Sequence, residues 1–414
     1  MPKSIIFYIA NASQLGFRFL QMILITRFLS GVDLGAYYAT AAYPQLLSRV
    51  FDLGLPHAVR YFVLQVPAAT GFIIRSVMLF AALIFLPIFC IFYFLDTLPL
   101  ESEEIVQLIA ASYFLLSVYC VVLIVNSILN AIILSFEQFI SSLLSSTLPY
   151  VVSITILVML HYSADGLQAH DVLVLLLITE GSIFAIHISF ILKKIHFASW
   201  HHPEAHISIR EIFAYAFQIY PSGILKVIVT RLDRVVLSFL ASPVFIGYYS
   251  VLMTIRDTSI FPVISYSQIF MNKLSGILKT TQLAVRRLLY KNLIAVAGLY
   301  LAGFLLFLLL QDIALRFFFK EQQVSSELYT ASYFLSLSTI PLALTSLIHT
   351  YFFTSNNPRY ISISSLFTII TFYGFVLLSY GKTGSNSFLY ASVFSAATGF
   401  IYLFIKLNIL LKRP

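Results

Sequence analysis

Polar side chains recur at helical spacing inside stretches of this chain that are otherwise apolar. Asn11, Gln14, Arg18 and Gln21 stand three and four residues apart, so a helix sets them on one stripe. Gln45, Ser48, Arg49 and Asp52 repeat the pattern. Lys226, Thr230, Asp233 and Arg234 share another face, with Arg231 turned somewhat away, and Ser250, Thr254 and Asp257 form a fourth stripe beside Arg256. An ionisable group at the centre of a membrane-spanning helix costs about 2.5 to 3.5 kcal/mol, so such groups tend to face a cavity or a partner. The cations Arg18, Arg49, Lys226, Arg231, Arg234 and Arg256 read as the walls of a water-filled cavity suited to a phosphate or diphosphate, whose hydration fixed guanidinium and ammonium donors can replace.

The competing reading is structural. Arg49 with Asp52, Arg231 with Asp233 or Arg234, and Arg256 with Asp257 are placed for local neutralisation, and charges near helix ends can snorkel. The mid-helix cations nevertheless outnumber the nearby acids, which leaves net positive charge to be used. Asn126, Asn130 and Glu137 make a further stripe; Glu180 and His349 are also membrane-embedded, and proton relay and interhelical hydrogen bonding are both open to them. His196, His201, His202 and His206 share a segment without cysteine and without tight ligand spacing, so no metal site is expected there. Cys90 and Cys120 fall inside candidate helices and read as packing residues. No Walker-type phosphate loop occurs, and no cofactor is expected.

The elements that must position these residues are long helices. The 414 residues are 60% hydrophobic and 10% charged, with a mean hydropathy of +0.93, far from the soluble norm of about a quarter charged. Apolar runs of roughly 20 to 30 residues match the length a helix needs to cross about 30 Å of hydrocarbon. The reading is an all-α polytopic membrane protein with about twelve spans, near 5–29, 36–64, 71–95, 105–135, 140–161, 170–192, 211–240, 245–272, 288–310, 327–354, 359–380 and 386–410. Asn11, Gln14 and Arg18 interrupt the first run, so it is expected to remain as a span and not to be removed as a signal peptide. With the amino terminus cytoplasmic, about fifteen Lys and Arg fall on cytoplasmic segments and about four on the other side, which places both termini in the cytoplasm. The net charge of +8 follows from that bias, and no nucleic acid partner is implied.

FLSGVDLGAYY at 28–38 and FLASPVFIGYY at 239–249 resemble each other at a separation of about 211 residues, half the chain, as an internal repeat would. Two six-helix lobes follow, 1–192 and 211–414, joined by a basic linker at 193–210. Six is an even number of crossings, so the two lobes enter from the same side, as a parallel repeat.

With VTRLDRVVLSFLASPVFIGYYSV in its seventh span and SRVFDLGLPHAV in its second, the chain resembles the Wzx-type O-antigen and polysaccharide flippases. These belong to the multidrug/oligosaccharidyl-lipid/polysaccharide exporter superfamily. Arg231, Asp233 and Arg234, then Gly247, Tyr248, Tyr249 and Ser250, carry the resemblance. It implies a transporter, not an enzyme, in a bacterial inner membrane, moving an undecaprenyl-diphosphate-linked oligosaccharide from the cytoplasmic to the periplasmic leaflet by alternating access. A proton or sodium gradient would drive it, with Asp52, Asp233 and Asp257 as coupling candidates, and glycan polymerase and chain-length proteins as partners. The alternatives are a lipid II flippase, a drug or cation antiporter of the same superfamily, and a membrane-embedded glycan polymerase or ligase. The short outer loops count against the last.

Overall fold

The computed structural model describes residues 3–66, 69–95, 102–136, 139–163, 167–194, 208–277, 282–320, 324–355, 357 and 359–411. Within them the chain forms thirteen α-helices: α1 Lys3–Phe28, α2 Gly31–Phe51, α3 Leu55–Gln65, α4 Thr70–Leu95, α5 Glu103–Ser135, α6 Phe139–Ser163, α7 Ala169–Lys194, α8 Ile209–Leu237, α9 Pro243–Ile277, α10 Gln282–Phe318, α11 Ser326–Thr354, α12 Arg359–Thr383 and α13 Asn386–Leu410. Seven of them, α4, α5, α7 and α10 to α13, are long and apolar enough to cross a membrane. The helices outside that set include α1, α2, α8 and α9, which carry the polar stripes.

Twelve expected spans become thirteen helices because the second span is broken. Asp52 ends α2, Leu53 and Gly54 take positive φ of 50° and 77°, and Leu55 begins α3 with Pro56 at its start. Asp52 shapes the break, its Oδ1 accepting from the Gly54 backbone N–H at 2.9 Å. The two pieces still make one crossing. Residues 18, 21 and 28 of α1 meet 150, 153 and 161 of α6 in ascending order, so these helices run parallel, as one crossing by α2 and α3 together requires.

Helix starts follow local capping chemistry. Ser30 caps α2 by accepting from the Asp33 N–H, and Ser208 with Glu211 forms a reciprocal capping box on α8. The caps also revise the repeat. Ser30 and Ser242 precede the first helical residues Gly31 and Pro243, so the structural register is one residue longer than the Phe-Leu pairs suggest and aligns Gly35 with Gly247. These two glycines let α2 and the start of α9 touch backbone to backbone. A Cβ on Gly35 would lie 1.6 Å from the Pro243 carbonyl oxygen, and one on Gly247 would lie 3.1 Å from the Gly35 nitrogen.

The described chain divides into two compact units, 1–247 and 248–414. In the first, α5 is the central helix, packed against α2, α3, α4 and α7, while α1 lies on α6. Helix α8 runs antiparallel to α2 and is held along its length: Tyr43 and Ser238 share a hydrogen bond of 2.6 Å, Tyr220 donates to the Val50 carbonyl at 2.8 Å, and Tyr61 stacks on Tyr215. The lobe boundary expected at 193–210 lies largely outside the described residues. In the second unit, α11 and α12 pack on α13, and Val263, Phe270, Leu289, Leu347 and Leu407 help form a core drawn from α9, α10, α11 and α13. One face of α10 presents Leu299, Leu305, Leu306 and Leu309 outward, as a lipid-facing surface does.

Candidate anion-binding site

Helix α1 carries its stripe toward α6, which answers at the same spacing. Arg18 Nε donates to the Tyr150 hydroxyl at 2.6 Å, with the guanidinium carbon 5.2 Å from the Tyr150 ring centroid. Three residues on, Gln21 Nε2 donates to Ser153 Oγ at 2.7 Å. Gln21 is buried, whereas Arg18 keeps exposed surface. The side chains of Asn11 and Gln14 lie outside the described residues.

On α2, Arg49 is also exposed. Its Nη1 donates to Ser127 Oγ of α5 at 3.2 Å and lies 3.6 Å from Asp52 Oδ2. Asp52 divides its carboxylate between that arginine and the Gly54 N–H, so it serves the helix break as well as the cation. Between α5 and α7, Asn126 Nδ2 donates to Glu180 Oε2 at 2.7 Å. Asn130 is partly buried on the same helix, and Glu137 lies outside the described residues.

The stripe of α8 divides. Asp233 and Arg234 are 1% and 3% exposed, while Arg231 keeps partial exposure. Asp233 Oδ1 accepts from the backbone N–H of Arg234 at 2.9 Å. The Arg234 guanidinium interacts electrostatically with Tyr37 and Tyr38 of α2, and its Nε is buried without a hydrogen-bond partner. Lys226 and Thr230 sit earlier on α8, with side chains outside the described residues. His196, His201, His202 and His206 also lie outside them.

The remaining cation belongs to the second unit. Arg256 Nε and Nη2 both donate to Asp257 Oδ1, at 3.1 and 2.8 Å, so the adjacent pair read from the sequence is made. Arg256 lies in the wall of an apolar cavity of about 650 Å³ between α9, α10 and α11. Tyr300 donates across it to the Ser259 carbonyl at 2.6 Å, and Tyr266 bonds Asn292.

The pattern of the polysaccharide biosynthesis protein family matches residues 2–270, more than half of the chain. The chain belongs to that family. No curated protein sequence matches it significantly. Its fold is that of the multidrug/oligosaccharidyl-lipid/polysaccharide superfamily of transporters. An inward-facing multidrug resistance MATE family transporter of that superfamily superposes with a TM-score of 0.79 at 12% identity, over 96% of this chain and 95% of that one. The lipid II flippase MurJ in an inward closed conformation superposes with a TM-score of 0.76 at 16% identity, over 98% and 87%. A superfamily transporter from Pyrococcus furiosus, described as having a binding pocket of reverse polarity, gives 0.64 at 13%, over 99% and 96%.

In this polysaccharide biosynthesis family member the neutral partners of the striped polar side chains are what charge-based reading misses. Tyr150, Ser153 and Ser127 hold Arg18, Gln21 and Arg49. Tyr150 and Ser153 share the three-residue spacing of Arg18 and Gln21, a pattern visible in the sequence once the two helices are known to be neighbours.

Proposed function

We propose that this membrane protein is a flippase that moves an undecaprenyl-diphosphate-linked oligosaccharide from the cytoplasmic to the periplasmic leaflet of a bacterial inner membrane. The observation that carries the reading is the pair Arg18 and Arg49. Both keep exposed surface in the first unit; Arg18 donates to the neutral Tyr150 hydroxyl, which orients its guanidinium without cancelling its charge, and Arg49 donates to Ser127 while lying 3.6 Å from an Asp52 carboxylate that also accepts from the Gly54 N–H. A cation and a phosphate oxygen 4 Å apart attract by on the order of 4 kcal/mol at an effective dielectric constant of about 20, before desolvation. Two such contacts suit a diphosphate, whose prenyl tail can stay in the bilayer while the charged head passes. A cation exporter would call for acidic groups in place of these arginines.

In this reading 1–192 and 211–414 act as two lobes that rock about the site, with both termini cytoplasmic. Arg231, Arg234, Lys226 and Arg256 are the further cations of 211–414 proposed to contact the anion; Arg231 keeps partial exposure, Arg234 is buried, and Arg256 is paired with Asp257. An ion gradient supplies the energy, through Asp52, Asp233 and Asp257.

The test is leaflet-selective labelling of lipid extracts from cells lacking the gene. The prenyl-diphosphate oligosaccharide should accumulate on the cytoplasmic side and be relieved by the wild type, but not by R18A/R49A present in the membrane at the wild-type level. If the lipid-linked unit instead reaches the outer leaflet without this protein, the flippase reading fails.

A further inference from the structure

At one end of the second unit the described charged side chains are all cations. Tyr290 near the start of α10 bonds Asn408 near the end of α13, Tyr360 at the start of α12 packs on Phe352 at the end of α11, and Lys406 of α13 lies over Tyr360, so four helix ends meet there. Arg286, Arg287, Lys291, Arg359 and Lys406 belong to these end segments. The acids of 248–414 are Asp257, Asp312, Glu321 and Glu327, and they stand elsewhere. Asp257 is in the first half of α9, paired with Arg256, while Asp312 and Glu327 are at the opposite ends of α10 and α11, with Glu321 between them in the sequence.

Two of these cations are seated on one ring. The Arg359 guanidinium carbon lies 5.0 Å and Lys406 Nζ 6.0 Å from the Tyr360 centroid, and Lys406 Nζ lies 5.8 Å from that of Tyr402. Arg359 Nη2 also donates to the Tyr360 hydroxyl at 3.3 Å. A ring face holds a cation without neutralising it, and among the described residues neither cation makes an ion pair. A phenol that accepts from arginine keeps its own O–H to donate. A guanidinium, an ammonium and a phenol are thus gathered in one place, the donor set that suits phosphate oxygens.

The surface leading away from them is apolar and faces outward. In α12 only Ser364 and Val376 are buried, so this helix runs along the outside of the protein. Phe367 packs on Tyr402 at 5.1 Å, which continues the α12–α13 seam about 10 Å from Tyr360. Ile363 and Phe367 of α12 and Ile401 and Ile405 of α13 are exposed. The bias of cations toward one side of the membrane accounts for positive charge at this end. It does not account for two cations held on ring faces where an apolar, lipid-facing seam ends, since both side chains could have snorkelled into water. Chains on apolar helix faces with a phosphate at the end of the seam describe a membrane lipid. We propose that the α12–α13 seam binds an anionic phospholipid of the surrounding membrane, its phosphate at Arg359, Lys406 and Tyr360 and its chains on the exposed apolar residues of the two helices. The site stands independently of the flippase reading.

Native mass spectrometry of the full-length protein in detergent, titrated with phosphatidylglycerol or with phosphatidylcholine carrying the same chains, tests this. Wild type should prefer phosphatidylglycerol. R359Q and K406Q should each lower that preference about fivefold, and R359Q/K406Q up to about thirtyfold, with phosphatidylcholine binding retained. K320Q/K382Q removes as many charges at the opposite ends of α10 and α12 and should keep the preference. Glycerol phosphate, which has no chains, should not compete at the lipid's concentrations. Equal binding of the two lipids by wild type would overturn the assignment. So would an unchanged preference in R359Q/K406Q, or an equal loss in K320Q/K382Q, which would make net charge responsible. Full competition by glycerol phosphate would make the seam a site for soluble anions, and displacement by farnesyl diphosphate at a concentration about tenfold below the lipid's would give it to a prenyl diphosphate; either result would overturn the phospholipid assignment.

Discussion

Replacing Gly35 by alanine adds one carbon to a buried position of α2, and that carbon would lie 1.6 Å from the Pro243 carbonyl oxygen, 2.2 Å from its carbon and 2.7 Å from its Cα. Ordinary contact begins at 3.4 Å, so the two backbones must part by roughly 1.8 Å, losing much of their dispersion attraction. Overpacking a well-packed site costs about 1 to 3 kcal/mol, and here the obstacle is backbone with no rotamer to yield, which places the cost near the upper end. Alanine recovers about 1 kcal/mol of helix propensity. The net expectation is a loss of about 2 kcal/mol, up to thirtyfold in the folded-to-unfolded ratio. Gly374 in α12 is the internal control, because nothing lies within 4 Å of a Cβ there. Gly374→Ala should gain up to about 1 kcal/mol, which puts the two variants about 3 kcal/mol apart. Gly247→Ala, with its nearest atom at 3.1 Å, should fall between them. Equilibrium unfolding in bicelles measures all three. G35A within about 0.5 kcal/mol of wild type, the usual span of inert substitutions, would refute the close backbone contact. G374A as unstable as G35A would refute it too.

Two further substitutions probe how α8 is held to α2. Gly54→Ala meets both a positive φ of 77° and the Ala216 carbonyl oxygen at 2.7 Å, and should lose about 1 to 3 kcal/mol in the same unfolding assay; an unchanged midpoint would mean the break at Asp52 does not bear on α8. Tyr43→Phe removes the hydrogen bond to Ser238 and should cost about 0.6 to 1.7 kcal/mol, with coupling of similar size in a double-mutant cycle with S238A; zero coupling would refute the pairing.

Composition and periodicity determined much of this protein. Apolar runs of spanning length have few other uses, and polar residues at three- and four-residue spacing occupy one helix face whatever the helix packs against. The membrane class, the spans and the stripes on α1, α2, α8 and α9 were therefore legible in order of residues alone, as were the adjacent pairs Arg49 with Asp52 and Arg256 with Asp257, whose partners lie within one helical turn. The break in the second span was harder to read. Asp52, Leu53 and Gly54 sit inside an apolar run, and glycine within such a run signals a turn only weakly.

Which stripe meets which was decided by tertiary structure. Arg18 and Tyr150, or Asn126 and Glu180, are separated by scores of residues, and no local periodicity records that α1 lies on α6 or α5 on α7. Burial separated residues that charge alone treats alike: Arg231 keeps exposed surface, while Arg234, three residues on, is enclosed against α2. The close approach at Gly35 is of the same kind. A glycine in a helix has many possible reasons, and only the position of the Pro243 carbonyl shows that here a single methyl group is too large.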